Sequence, residues 1–298
     1  MLCNNCYRKC NVDRTLKTGF CKIDDKIYVS AICIHKGEEP VIVGKSGICN
    51  VFFDHCNLQC IYCQNYQISC NNVDISNNLI SADKCVEKIK QLLDSGTKML
   101  GLVSPTPYVD NIYEIVNKLN SDNYFPRIVY NTNAYDTVEI IKKLKDIVDI
   151  YLPDYKYGSY DLCKSLSNAP DYPNTALEAI KEMYKQKGRK IILDEDNLAV
   201  SGLIIRHLVL PGHVENSKSA LFNIAFEISN KVNISLMSQY YPVYKSFEYP
   251  ELSRKLTAEE YNEVLDYMSE LGLENGWIQE VESSDCYKPD FTTTEVFK

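Results

Sequence analysis

An α/β fold, a partial (β/α)6 barrel behind a small N-terminal cysteine-rich module and β-hairpin, follows from three features of the sequence. From Gly47 onward, short apolar runs alternate with helix-period stretches, the pattern of βα units on a parallel sheet. Polar residues gather just after those runs, where parallel barrels carry their chemistry. A chain of 298 residues is also long enough to bury one large domain. The expected division is residues 1–46 for the module and hairpin, then 47–298 for the barrel with a C-terminal helix and tail.

The elements follow in order. Ile27–Ile34, a turn containing Gly37, and Pro40–Val43 read as the hairpin. Ile48–Phe53 is the first barrel strand. The first helix runs from about Ser81 to Ser95, with Val86, Ile89, Leu92 and Leu93 as its apolar stripe, Ser81 as cap and Gly96 as stop. The next strands are Met99–Val103, Arg127–Tyr130, Val148–Leu152, Leu203–Leu210 and Val232–Met237. Helical stretches separate them at 109–119, 136–146, 174–187 and 217–230. Thr257 and Glu260 form a capping box for a last helix, with Val264, Leu265, Met268 and Leu271 on one face. Residues 189–201, with their acidic run, read as a solvated excursion. Six units leave the barrel open on one side, and no internal repeat stands out.

Composition narrows the function. A net charge of -8 argues against phosphate-driven nucleic-acid binding. The first residues lack a charged-then-apolar leader pattern, and no apolar run approaches the ~20 residues that span a bilayer. Thirteen cysteines on such a chain point to a reducing, cytoplasmic setting, where clustered thiols mean metal or redox chemistry.

Two cysteine constellations stand out. Cys56, Cys60 and Cys63 offer three thiolates within a polar loop that includes Asn57, Gln59, Gln64 and Asn65. An iron–sulfur cubane usually takes four cysteines, and structural zinc is closed by four protein ligands. Three soft ligands suit a cubane whose fourth iron is open to a small molecule, and the Tyr62 ring could flank a bound base. The competing readings are buried structural thiols, or zinc with His55 or Cys70 as fourth ligand. Cys3, Cys6, Cys10 and Cys21 form a complete set of four, which fits structural zinc or a fully ligated iron–sulfur centre. Spacing does not choose between them.

The strand ends carry Ser104-Pro-Thr106, Asn131-Thr132 and Asp154-Tyr-Lys156. Alternation puts Asp154 and Lys156 on one face, where a carboxylate and an ammonium suit a zwitterionic ligand. Arg206 and His207 are neighbours, so only one can face the lumen. A charge inside a barrel needs a partner or an anion, which favours Arg206 and leaves His207 as a satisfied histidine against a helix. Asn131 and Thr132 could hydrogen-bond a ribose or serve as turn residues. His35, Glu38 and Glu39 follow a hairpin strand and could line the open side.

Over nearly its whole length the chain resembles uncharacterised radical S-adenosylmethionine (SAM) proteins similar to pyruvate formate-lyase activating enzyme. The matching segments are the leading quartet, His35–Pro40, Cys56–Asn65, Val129–Thr132, Asp149–Lys156, Leu203–His213, Ser235–Pro242 and Glu274–Gln279. The resemblance implies a [4Fe-4S] cluster on Cys56, Cys60 and Cys63, with SAM chelating the open iron. It further implies SAM contacts from Asp154 and Lys156, with Arg206 at the position of a strand-five arginine. The Gly-Gly-Glu segment of many such enzymes is replaced here by Ser104-Pro-Thr106, so contacts to the SAM amino group fall to Ser104 and Thr106. Glycyl-radical activators do not need the N-terminal quartet.

The expected function is reductive cleavage of SAM and hydrogen-atom abstraction from a protein, peptide or small-molecule substrate. Flavodoxin or ferredoxin would supply the electron, with no nucleic-acid or membrane partner. A non-catalytic iron–sulfur electron carrier and a zinc-stabilised interaction module are the alternatives.

Overall fold

The computed structural model describes residues 2–281, 283, 288–293 and 295–297. The chain opens with β1 (Ile27–His35), α1 (Pro40–Val43), β2 (Ile48–Phe53), α2 (Tyr66–Ser69) and β3 (Leu79–Ile80). Next come α3 (Ala82–Leu93), β4 (Met99–Val103), α4 (Val109–Ser121), β5 (Arg127–Thr132), α5 (Val138–Lys143) and β6 (Ile150–Pro153). Two helices, α6 (Tyr160–Ser167) and α7 (Tyr172–Lys187), precede β7 (Ile192–Leu193) and β8 (Ala199–Leu208). The chain closes with α8 (Val214–Ile224), β9 (Asn233–Met237), α9 (Ala258–Glu270) and β10 (Gly276–Ile278).

Hydrogen bonding orders one sheet as β10-β9-β8-β6-β5-β4-β2-β1-β3, with β7 folded back on β8. From β2 to β10 the neighbours are parallel, whereas β1 runs antiparallel to both β2 and β3. The end strands β3 and β10 do not pair, so the sheet is a partial barrel, open on one side.

Four local expectations are corrected. Pro40–Val43 is a helical turn and not the return strand of a hairpin; β1 pairs instead with β2, from Val29↔Phe53 to His35↔Ile48. Proline at the helix start has a preset φ, and Gly44 at φ 48° ends the turn where an added Cβ would lie 2.5 Å from Leu198. Residues 189–201 hold β7 and the start of β8, a short antiparallel pair in place of an open excursion. Helix α6 lies where no helix is read from sequence, capped by the Ser159 hydroxyl, which accepts from Leu162 N. Finally, β10 adds a seventh parallel strand through Gly276–Ile278.

Alternation along the strands divides the core. Cys49, Val51 and Phe53 of β2 pack outward among the helices, as do Leu100, Leu102, Tyr130 and Tyr151. Inside, Ile48, Met99, Val129, Ile150 and Ile204 meet Ile42 of α1, which is fully buried. The helical turn therefore plugs the N-terminal end of the barrel. That plug sets the floor of the lumen.

Candidate active site

The loop after β2 leaves the C-terminal end of the barrel and turns sharply at His55, which has φ 58°. Beyond it, Cys56, Cys60 and Cys63 line one cavity of about 380 Å³. Tyr62, Ser104, Asn131, Asp154, Lys156 and Arg206 line the same cavity. The structure does not bring Thr106 there. Its hydroxyl donates to Asp136 Oδ1 at 2.8 Å, and the residue faces the cysteine quartet on the other side of the loop. A short 3-10 turn over Thr106–Tyr108 rotates it away.

Each thiol of the trio has a polar companion. Cys56 Sγ accepts from Asn133 Nδ2 at 3.3 Å and from Leu58 N at 3.4 Å. Cys60 Sγ accepts from the Ser167 hydroxyl at 2.9 Å, and Cys63 Sγ lies 3.1 Å from the Ser69 hydroxyl. Tyr62 donates to Tyr157 at 2.8 Å, and Tyr157 pairs with Ser167 at 2.6 Å, so a hydroxyl chain runs from the Tyr62 ring to Cys60. Burial pushes the Cys56 thiol up to about 12 and Cys63 up to about 11, with each of these raised further by the neighbouring Cys60. Such thiols become thiolates at neutral pH only against strong positive charge, which a metal centre supplies.

Among the described residues, no fourth side chain completes the set. Both ring nitrogens of His55 face carbonyls, Cys21 O at 2.9 Å and Val73 O at 3.1 Å. Cys70 pairs with the Tyr244 hydroxyl at 3.3 Å. Zinc would be left with three ligands from the described residues, whereas a cubane bound by three cysteines keeps one iron open. The donor set thus fits a cubane with one open corner better than it fits zinc.

Below the loop, charges alternate across the lumen. Lys156 Nζ meets Asp154 Oδ2 at 2.7 Å, and Arg206 Nε meets Asp154 Oδ1 at 2.8 Å. Arg206 then reaches Glu38 Oε2 at 2.8 Å and Asn131 Oδ1 at 2.7 Å. Burial raises the Asp154 carboxyl, yet the Arg206 and Lys156 charges outweigh it and hold the group below the usual carboxylate range. These pairs are largely buried, with side-chain exposures of 10–20%. That excludes a mere surface ion pair. His207 points outward from β8, its ring 2.7 Å from Tyr155 O and 2.9 Å from Ser217 Oγ on α8.

His35, Glu38 and Glu39, named from the sequence as lining residues, all line the cavity, Glu38 and Glu39 directly ahead of the plug. Two further polar residues, Asn50 and Ser235, escape the sequence reading. Asn50 donates to Glu38 Oε1 at 3.3 Å, and an added Cβ at Gly101 would sit 1.8 Å from its Oδ1. A polar residue inside the apolar run Ile48–Phe53 is the signal that could have found Asn50, and Ser235 within β9 is the same case.

Cys3, Cys6, Cys10 and Cys21 surround a second, small cavity with Arg14, Asn57 and Thr106 in its wall. Burial raises Cys6 to about 12, and Cys21 upward as well. Arg8 ties this region to the neighbouring loop, donating to Asn57 O at 2.9 Å and Asn168 O at 2.5 Å.

Comparisons with known proteins fit this geometry. The Radical SAM superfamily profile matches residues 50–213. The uncharacterized protein MJ0674 of Methanocaldococcus jannaschii is 33% identical over 277 residues, covering 91% of this chain and 75% of that protein. In fold, the chain is similar to Streptococcus suis SuiB bound to its precursor peptide SuiA, with TM-score 0.51 and 15% identity over 76% of this chain and 46% of SuiB. HydG, a maturase of the [FeFe]-hydrogenase, gives TM-score 0.50 and 14% identity over 75% of this chain and 49% of its own. The chain thus spans about half the length of these solved structures. Among the described residues, no helix is long and apolar enough to cross a membrane. With the profile covering more than half of its residues, the chain belongs to the radical SAM superfamily.

Proposed function

We propose that this radical SAM enzyme removes a hydrogen atom from an organic substrate in the barrel lumen, with Cys56, Cys60 and Cys63 holding its [4Fe-4S] cluster. When bound, reduced cluster and SAM together supply a 5′-deoxyadenosyl radical, chemistry that belongs to the cofactor. The observation that carries the reading is the three-thiol cavity continuous with a buried, alternating charge chain. The chain's own groups have distinct tasks. Lys156 receives a carboxylate and Asp154 an ammonium of the methionyl part of SAM. Arg206 holds Asp154 in place and keeps it ionised. Tyr62 offers its ring to the adenine, Asn131 an amide to the ribose, and Ser104 a hydroxyl in place of the missing Gly-Gly-Glu segment. Asn133, Ser69 and Ser167 orient the thiols and stabilise them as thiolates.

Cys3, Cys6, Cys10 and Cys21 hold a second centre, zinc or iron–sulfur, that anchors the N-terminal segment beside the loop. Flavodoxin or ferredoxin serves as electron donor. The substrate is a peptide, a small molecule or the glycine of a partner enzyme. Anaerobically purified protein is expected to be brown and, with dithionite, to convert SAM to 5′-deoxyadenosine. Cys60→Ala is expected to lose that turnover and the corresponding iron while keeping its circular dichroism. Undiminished turnover in the variant would contradict the ligand set, and a colourless, zinc-loaded protein would contradict the enzyme.

A further inference from the structure

At the floor of the cavity, Glu39 is a buried carboxyl group that makes no ion pair among the described residues. Its residue is 7% exposed, it lines the cavity, and its Oε2 has no hydrogen-bond partner among the described residues. Ser235 hydrogen-bonds the same carboxyl. The groups around it are already matched. Glu38 is satisfied by Arg206, Asn50 and Asn131, and Asp154 by Arg206 and Lys156. Two anions and two cations cancel along that chain, so Glu39 is left with only a share of the Arg206 charge. A buried carboxylate missing one partner is costly to keep, and an N–H donor that also carries positive charge removes the cost most fully. Burial raises the Glu39 carboxyl and Arg206 only partly offsets it, which leaves room for an incoming cation to restore its charge.

Position points the same way. The three cysteines act electrostatically on Lys156, which begins the charge chain, whereas Glu39 adjoins Glu38, the group at its other end. SAM held at the cysteines and Lys156 therefore leaves Glu39 to a different molecule. Above the floor, Phe52, Val103, Leu208 and Met237 supply an apolar wall.

We propose that Glu39, with Ser235, is the substrate subsite of this cavity and receives a protonated primary amine whose carbon chain lies along that apolar wall. This rests on reading the cavity as the place of the SAM-dependent reaction. A charge-assisted hydrogen bond from the ammonium to Glu39 replaces the missing partner of Oε2, and the amine selects the substrate without taking part in the chemistry.

The test uses the full-length, cluster-loaded protein and two matched probe series, n-alkylamines and n-alkanols from propyl to hexyl. Binding is read from the shift in melting temperature with and without SAM. Amines are expected to bind at least tenfold more tightly than the alcohols of equal length, more so as the chain lengthens. Glu39→Gln should abolish that preference while leaving SAM affinity, measured by equilibrium dialysis, unchanged. Ser235→Ala should weaken amine binding several-fold and serves should Glu39→Gln fail to fold. Equal binding of amines and alcohols by the unmodified protein would overturn the inference, as would an amine preference that survives Glu39→Gln. Loss of SAM affinity in Glu39→Gln would also overturn it, by assigning the carboxylate to SAM. Failure of the unmodified protein to bind SAM would instead refute the proposed function, whatever the amines do.

Discussion

At the scale of single residues, the site is a problem of keeping charges buried. Arg206 solves most of it, since one guanidinium engages Asp154, Glu38 and Asn131 together. Its neighbour His207 solves the opposite problem by staying neutral. Burial lowers His207 from 6.5 to about 4, so between those values the unfolded chain binds a proton that the folded one does not. Stability therefore falls as pH drops from 6.5 through about 4, by about 3 kcal/mol in all for this one group. Urea unfolding at pH 7.5 and pH 4.5 should show that loss, and His207→Gln should show a smaller one. An equal pH dependence in both proteins would remove His207 as its source. Asp154, Lys156, Arg206 and His207 are legible in the sequence because strand alternation is a local rule. The role of Glu39 is not, since it depends on where the following turn folds.

At the scale of elements, that turn is the informative case. Pro40–Val43 is a short run with three β-branched residues, which in isolation reads as a strand. Burial of Ile42 against five strands overrides that preference. Ile42→Ala should therefore cost about 2–5 kcal/mol of stability, the range for emptying a closed core position. Chemical denaturation measures it directly, and a cost near zero would mean that α1 does not plug the barrel. Helix α6 is hidden for another reason. It has only eight residues and a mostly polar surface, yet it ends at Ser167, the donor to Cys60. The long strands and helices are legible because their periods extend far enough to be unambiguous. Short elements that close or decorate the lumen are not, and they supply much of its polar chemistry.

At the scale of the whole molecule, the open sheet has a floor built by α1, walls of alternating polarity and a thiol loop at the top. A cluster bound only by the folded loop should stabilise the protein in proportion to its affinity. Removing iron should accordingly lower the melting temperature, and intact stability after removal would mean that the loop is preformed without it. The class of enzyme is legible from Cys56, Cys60 and Cys63 alone, because few other chemistries leave a cubane one ligand short. The proposed amine subsite rests instead on Glu39 and Ser235, which two separate segments bring to one cavity. The most direct measurement is the electron paramagnetic resonance of the anaerobically reduced protein before and after SAM is added. The signal that Cys60→Ala abolishes should be that of a reduced [4Fe-4S] cluster, and its g-values should shift when SAM binds the open iron. A signal indifferent to SAM, or no cluster dependent on Cys60, would contradict the three-thiol site.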